Sequence, residues 1–228
     1  MNLQNKIAAL NIVLGSGSPR RKQLLAEVGF HFEVRTKEID ETPPAGLSRE
    51  EIAIRLSELK SQALQESISE NEILITADTI VCFHDQVLGK PKDHPEAFAM
   101  LKLLNGNTHQ VYTGVSIYRT HLLKSFSIET NVEFNSMTDS MINEYIETYQ
   151  PFDKAGSYGA QECLPSGMNP CSQIEIEFLN QIENKNLLSN TLFHDNKVNI
   201  PIIKNINGSY FNVMGLPIRE LTLALIDE

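Results

Sequence analysis

Leu10-Asn11-Ile12-Val13-Leu14-Gly15-Ser16-Gly17-Ser18-Pro19-Arg20-Arg21-Lys22-Gln23-Leu24-Leu25-Ala26-Glu27-Val28-Gly29 decides how the chain is organised. Leu10 to Leu14 is a short apolar run and predicts a buried strand, and Gly15 to Ser18 predicts a tight loop. The helix that follows is punctuated at both ends. Ser18 stands at the N-cap, Pro19 at the first helical position, Leu24, Leu25 and Val28 supply the apolar face, and Gly29 marks the stop. A strand feeding a helix through a glycine loop is an α/β beginning.

The alternation continues along the chain. Ser48 and Glu51 predict a capping box, opening a helix with the stripe Ile52, Leu56, Leu59 and Ala63. Ile73 to Ala77 predicts a buried strand ending at Asp78, followed by a second strand over Ile80 to Phe83 that turns into Val87-Leu88. A helix is expected from Pro95 to Leu104, a hairpin over 111–134, a helix capped by Thr138 and stopped by Pro151, a strand over Pro201 to Ile206 and a closing helix from Pro217 to Ile226. Interleaved strands and helices with one hairpin give the α/β class with a mixed sheet. Residues 163–204 are rich in asparagine and turn residues and poor in apolar ones. They predict a surface insertion that holds a helix near Ser172 to Ile182 and then a polar connection.

Bulk properties narrow the function. The 228 residues are 41% hydrophobic, enough for a sizeable core. No apolar run approaches the roughly 20 residues of a membrane span, and the start lacks the pattern of a secretory signal. Cys82, Cys163 and Cys171 form no CxxC pair, which fits reduced thiols in the cytoplasm. A formal charge of −10 argues against a surface that coats nucleic acid or anionic lipid. A small polyanion would need a local basic cluster, a divalent metal, or both.

Several short segments could supply these. Arg20 and Arg21 in the first turn of a helix sit against the positive end of its dipole, and an anion would relieve them. The plain alternative is a solvated basic turn. Glu38, Asp40 and Glu41 crowd three carboxylates, which a hard cation such as magnesium or manganese relieves; a solvated acidic loop is the alternative. Asp78 at a strand end could bind metal or accept a proton from water. Lys90 is aimed by Pro91, whereas Lys60 lies one step off its helix's apolar stripe, where a lysine usually extends into solvent. Asp153 to Gln161 combines small residues with Lys154 and Gln161, whose amide could read a base edge. Gly208 to Pro217 has punctuation that could be purely structural.

Taken in order, Leu14 to Arg21, Ile39 to Thr42, Arg55-Leu56 with Lys60, Ala77 to Val81, Leu88 to Asp93, Val111 to Val115, Pro151 to Gln161 and Gly208 to Pro217 resemble the Maf family of nucleotide pyrophosphatases. The resemblance implies a single domain over 1–228, with an elongated mixed sheet and flanking helices in two lobes around a central cleft, similar to inosine triphosphate pyrophosphatases. It implies hydrolysis of a nucleoside triphosphate to the monophosphate and pyrophosphate with a divalent cation, Mg2+ or Mn2+. Asp78 is then the proton acceptor, sharing the metal with Glu41 and Asp40; Ser16, Arg21, Lys60 and Lys90 face the phosphates, and Lys154 is a further substrate-binding residue. Arg20, Thr79 and Gln161 match family members that prefer dTTP and UTP, and tryptophan, which marks the 7-methyl-GTP subgroup, is absent from the chain. The family often dimerises, so a homodimer is allowed. The rival implied readings are a 7-methyl-GTP pyrophosphatase and a nucleotide-binding cell-division regulator with little turnover.

Overall fold

The computed structural model describes residues 3–42, 46–183 and 200–226. The N-terminal unit forms at the bounds its punctuation predicts, although Ser18 at the N-cap position makes no side-chain capping bond. After a first short helix α1 (Leu3–Ala8), strand β1 (Ile12–Leu14) is fully buried and passes through the glycine loop into helix α2 (Pro19–Val28). Gly29 ends α2 in the left-handed region at φ 94°, where an L side chain is strained. Strand β2 (Phe32–Val34) then pairs in parallel with β1. Helix α3 (Arg49–Leu64) opens with the expected capping box between Ser48 and Glu51.

Strand β3 (Ile73–Phe83) corrects the first reading of this region. Instead of ending at Asp78 and restarting at Ile80, it is one strand of 11 residues, with Asp78 in its middle opposite Gly114. Strand β4 (Gln86–Leu88) folds back on its end, and helix α4 (His94–Leu104), strands β5 (Thr108–Arg119) and β6 (Leu122–Phe134) and helix α5 (Asp139–Tyr149) follow. Short α6 (Ala160–Cys163), α7 (Gln173–Gln181), β7 (Ile203–Asn207), the single turn α8 (Tyr210–Val213) and α9 (Ile218–Ile226) complete the described chain. None of these helices is long and apolar enough to cross a membrane.

Among the described residues seven strands form one mixed sheet in the order β2-β1-β3-β5-β6-β7, with β4 paired to β3 off that path. β1 runs parallel to β2 and β3, and the remaining pairings are antiparallel. β1 accompanies β3 only as far as Leu14 opposite Ile75. Between Ile75 and Val81, where β4 takes over, β3 is flanked by a strand on one side only, and Asp78 lies in this gap where the sheet opens.

Helix α3 lies on β3 and β5, and Gly114 sets how closely. A Cβ on Gly114 would stand 2.1 Å from the carbonyl oxygen of Ala53, so only glycine lets the helix backbone rest directly on the strand. That approach brings Lys60, near the end of the same helix, over the middle of β3.

The segment expected as a surface insertion is in part core. Cys163, Leu164, Phe178, Leu179 and Ile182 are all buried, as are Ile200 and Ile202 on the far side of residues 184–199, which lie outside the described residues. Burying a side chain of the Leu or Phe kind stabilises by about 1.5–3 kcal/mol. Mean apolar density is a poor guide here, because Phe178 and Leu179 of α7 are packed inward even though Ile174 on the same helix is exposed.

Candidate active site

The opening of the sheet forms a cleft of about 590 Å³. The loop after β1, the first turn of α2, the segment after β2, Lys60 on α3, the middle of β3, the loop after β4, residues 153–160 and the turn after α8 all line it. Of the sequence-derived candidates, Ser16, Arg20, Arg21, Glu41, Lys60, Asp78, Thr79, Lys90 and Lys154 face this one space. Asp40 and Gln161 are not among its lining residues. Asp40 is exposed and turned to its own loop, where it accepts the Thr42 N–H at 2.9 Å and hydroxyl at 2.6 Å; these bonds hold its carboxyl below the usual range. Gln161 lies one residue past Ala160, the last of the 153–160 segment to line the cleft.

The Lys60 ammonium is bonded to two carboxylates, Asp78 at 2.5 Å and Glu41 at 2.8 Å, and Lys90 stands 3.7 Å from the other Glu41 oxygen. Lys60 therefore does not extend into solvent: its side chain is 15% exposed and that of Asp78 12%. Burial by itself would raise the Glu41 carboxyl, but the hydrogen bond and charge of Lys60, with Lys90 and Arg21 nearby, bring it below the ordinary value.

Arg21 is buried and fixed at three points. Its Nε donates to the Gly215 carbonyl at 2.7 Å, Nη1 to Ser16 Oγ at 3.0 Å and Nη2 to Thr79 Oγ1 at 3.0 Å. All three acceptors are uncharged. Burial lowers the pKa of the guanidinium, while Asp78 and Glu41 favour its charged form. A fixed cation at a helix N-terminus is prepared for an anion brought from outside. Gly215 adopts φ 102°, and a Cβ there would come within 3.3 Å of Thr79 Oγ1. The punctuation of 208–217 thus serves the site as well as the chain turn.

The other wall holds Lys154, whose ammonium is flanked by Asp153 at 2.9 Å and Glu162 at 3.3 Å. Tyr145 donates its hydroxyl to the second Glu162 oxygen at 2.7 Å and accepts the Gly159 N–H at 3.0 Å. Glu162, Tyr145 and the lining residue Lys37 carried no signal in the sequence that separated them from ordinary surface or core residues.

Beneath this wall His109 is fully buried, with Nε2 2.8 Å from the hydroxyl of Tyr158, a lining residue. Burial pushes its pKa down to about 3 from the ordinary 6.5. Between those values the unfolded chain binds a proton that the folded chain refuses, so stability falls as pH drops through 6.5. The slope is up to about 1.4 kcal/mol per pH unit. Denaturant titrations from about pH 6.5 to 5 test this: the slope is expected to shrink in His109→Gln, and equal slopes in the two proteins would refute it.

Fold and site together define an α/β protein whose sheet opens into a cleft with fixed cations and paired carboxylates, suited to a small polyanion. The chain belongs to the Maf family: the model of that family, described as Maf-like protein, matches residues 11–173. A Flavobacterium psychrophilum protein named dTTP/UTP pyrophosphatase is 36% identical over 226 residues, covering 99% of this chain and 98% of its own length. Proteins of the same name from Bacteroides thetaiotaomicron (38% identical; 92% of each chain covered) and Porphyromonas gingivalis (37%; 95% and 93%) are similar too. The first alignment spans nearly the whole chain, including the region beyond the family model. Among solved structures the Staphylococcus aureus Ham1 protein overlaps 54% of this chain and 71% of its own at 18% identity. Its TM-score of 0.39 is too low to bear on the fold.

Proposed function

We propose that this chain hydrolyses dTTP and UTP to the nucleoside monophosphate and pyrophosphate in the presence of a divalent cation. The observation that carries the reading is the Glu41–Lys60–Asp78 cluster in the same cleft as Arg21. The relatives' names support the choice of substrate.

Water attacks the α-phosphorus, its proton passes to a carboxylate oxygen of Asp78, and the bond to the bridging oxygen breaks, so that pyrophosphate leaves with the electron pair. Lys60, bonded to Asp78 at 2.5 Å, holds that carboxylate in place before attack. Arg21, Ser16 and Lys90 hold phosphate oxygens and offset the charge that builds on them. Arg20, Thr79 and Gln161 are the residues we assign to choice of the base, and Lys154 lines the cleft as a further substrate-binding group.

The donor set suits a hard cation. Glu41 and Asp78 offer oxygen ligands fastened to one ammonium. Among the described residues no group of three or more His, Cys, Asp or Glu side chains could hold a metal unaided. Magnesium, and manganese like it, commonly takes one or two carboxylates and completes its shell with phosphate and water. Glu41 and Asp78 would hold it, and it would supply charge neutralisation at the phosphates. Asp40, bonded within its own loop, is left out of this set.

We also read 1–228 as one domain that includes residues 163–204, and the protein as a cytoplasmic enzyme acting on the free nucleotide. The cysteines Cys82, Cys163 and Cys171, all free thiols, suit a reducing compartment.

Pyrophosphate release from a panel of canonical and modified nucleoside triphosphates tests the proposal. Release led by dTTP and UTP with Mg2+ or Mn2+, and abolished by EDTA, is expected. Silence across the panel would remove the activity, and a lead for 7-methyl-GTP would remove the base assignment.

A further inference from the structure

Helix α7 begins with a capping box, in which Ser172 and Glu175 satisfy each other's backbone groups. Such a glutamate is ordinarily exposed, but Glu175 is only 2% exposed. Its carboxylate accepts five hydrogen bonds. The Ser172 N–H and hydroxyl donate to Oε2 at 2.8 and 2.9 Å, and the Tyr210 N–H donates to the same oxygen at 3.2 Å. The Ser209 hydroxyl and the Phe211 N–H donate to Oε1 at 2.6 and 3.2 Å. One carboxylate therefore ties α7 to the start of α8, and burial of the charge is offset only while these donors stay in place.

From α8 the bonds lead to the cleft by two routes. Asn212, fully buried, donates its amide to Val111 O and Thr130 Oγ1, each at 3.0 Å. Its carbonyl accepts the Gly215 N–H at 2.9 Å, and the Gly215 carbonyl accepts Arg21 Nε. The same Asn212 carbonyl accepts the Thr113 hydroxyl at 3.0 Å. Thr113 lies 2.9 Å from the Thr79 hydroxyl, which receives Arg21 Nη2. Two of the three bonds that fix Arg21 thus depend on where α8 sits.

We propose that Glu175 is a positioning residue for Arg21, holding α8 so that Gly215 and Thr79 aim the guanidinium at substrate phosphate; this rests on the nucleotide reading above. Glu175→Gln is a sharp probe. Each carboxylate oxygen accepts at least two donors, so whichever becomes the amide nitrogen faces donors and α8 must shift.

The test is a double-mutant cycle on binding of a dTTP analogue with a methylene bridge between the α- and β-phosphates, in Mg2+ buffer, alongside pyrophosphate release from dTTP. Glu175→Gln is expected to weaken binding about tenfold in the wild-type background and less than about twofold in Arg21→Lys, because the lysine cannot receive the positioning. Loss by the same factor in both backgrounds, or no loss in either, overturns the inference, since a general structural defect adds and does not couple. If Glu175→Gln fails to fold, Ser209→Ala keeps the carboxylate and the α7 capping box while removing one Oε1 donor and the α8 N-cap, and the same coupling is expected at smaller size. Wild-type protein that binds the analogue but releases no pyrophosphate would defeat the proposed activity and leave this inference to the cycle. Wild-type protein that does not bind would defeat both.

Discussion

Replacing Asp78 with asparagine is expected to lower kcat for dTTP by about a thousandfold while leaving nucleotide binding within a few-fold, the scale of loss that follows removal of a positioned general base. Asparagine has the shape of aspartate and can still accept a bond from Lys60, and Lys60 also keeps Glu41 at 2.8 Å. The cluster's geometry is therefore conserved while its proton acceptor is gone. Steady-state kinetics on Asp78→Asn, with Kd for a non-hydrolysed analogue measured beside it, separates the two quantities. A kcat within tenfold of wild type would show that another group takes the proton. Loss of binding in step with kcat would show that Asp78 serves mainly to hold the cation and its phosphates.

Gly114→Ala is expected to cost about 3 kcal/mol or more, a Tm fall of about 6–12 °C for a chain of this length. The new methyl carbon would lie 2.1 Å from the Ala53 oxygen, 2.2 Å from its carbonyl carbon and 2.5 Å from the Ile54 nitrogen, all backbone atoms of α3 that no rotamer change can move aside. The helix must lift from the sheet, and Lys60 rides on that helix. Activity of the remaining folded protein should therefore fall more than the folded fraction does. Gly89→Ala is the control for stability, since a Cβ there meets nothing within 4 Å. A Tm for Gly114→Ala within about 1 °C of wild type would mean that the helix adjusts freely, and that its close approach does not set the site.

Which parts of this were legible in the sequence depends on the range of the forces involved. The β1–loop–α2 unit could be read because Pro19, Arg20, Arg21 and Gly29 act on neighbouring backbone, through fixed φ, helix dipole and a left-handed stop. The capping box at Ser48 is of the same kind. Asp78 could not be placed in mid-strand by such rules, because a carboxylate among buried strand residues is costly until a cation is beside it, and its cation comes from a separate helix. For the same reason the local rules put Lys60 in solvent, and Glu175 carried no signal that it would be buried. The resemblance to Maf proteins gathered most of the site residues, but it did not order their contacts.

The sequence by itself determined the alternation of strands and helices, the ends of most helices and the short list of residues able to meet a phosphate, since each of these is set within a turn or two of chain. Only the tertiary structure decided that Lys60 joins Asp78 to Glu41, that Asp40 faces its own loop, and that α7 is packed into the core with Glu175 tied to α8. Those outcomes rest on desolvation and on hydrogen-bond donors brought in from distant segments. A charge reads as exposed in the chain until the fold supplies the partners that allow it to be buried.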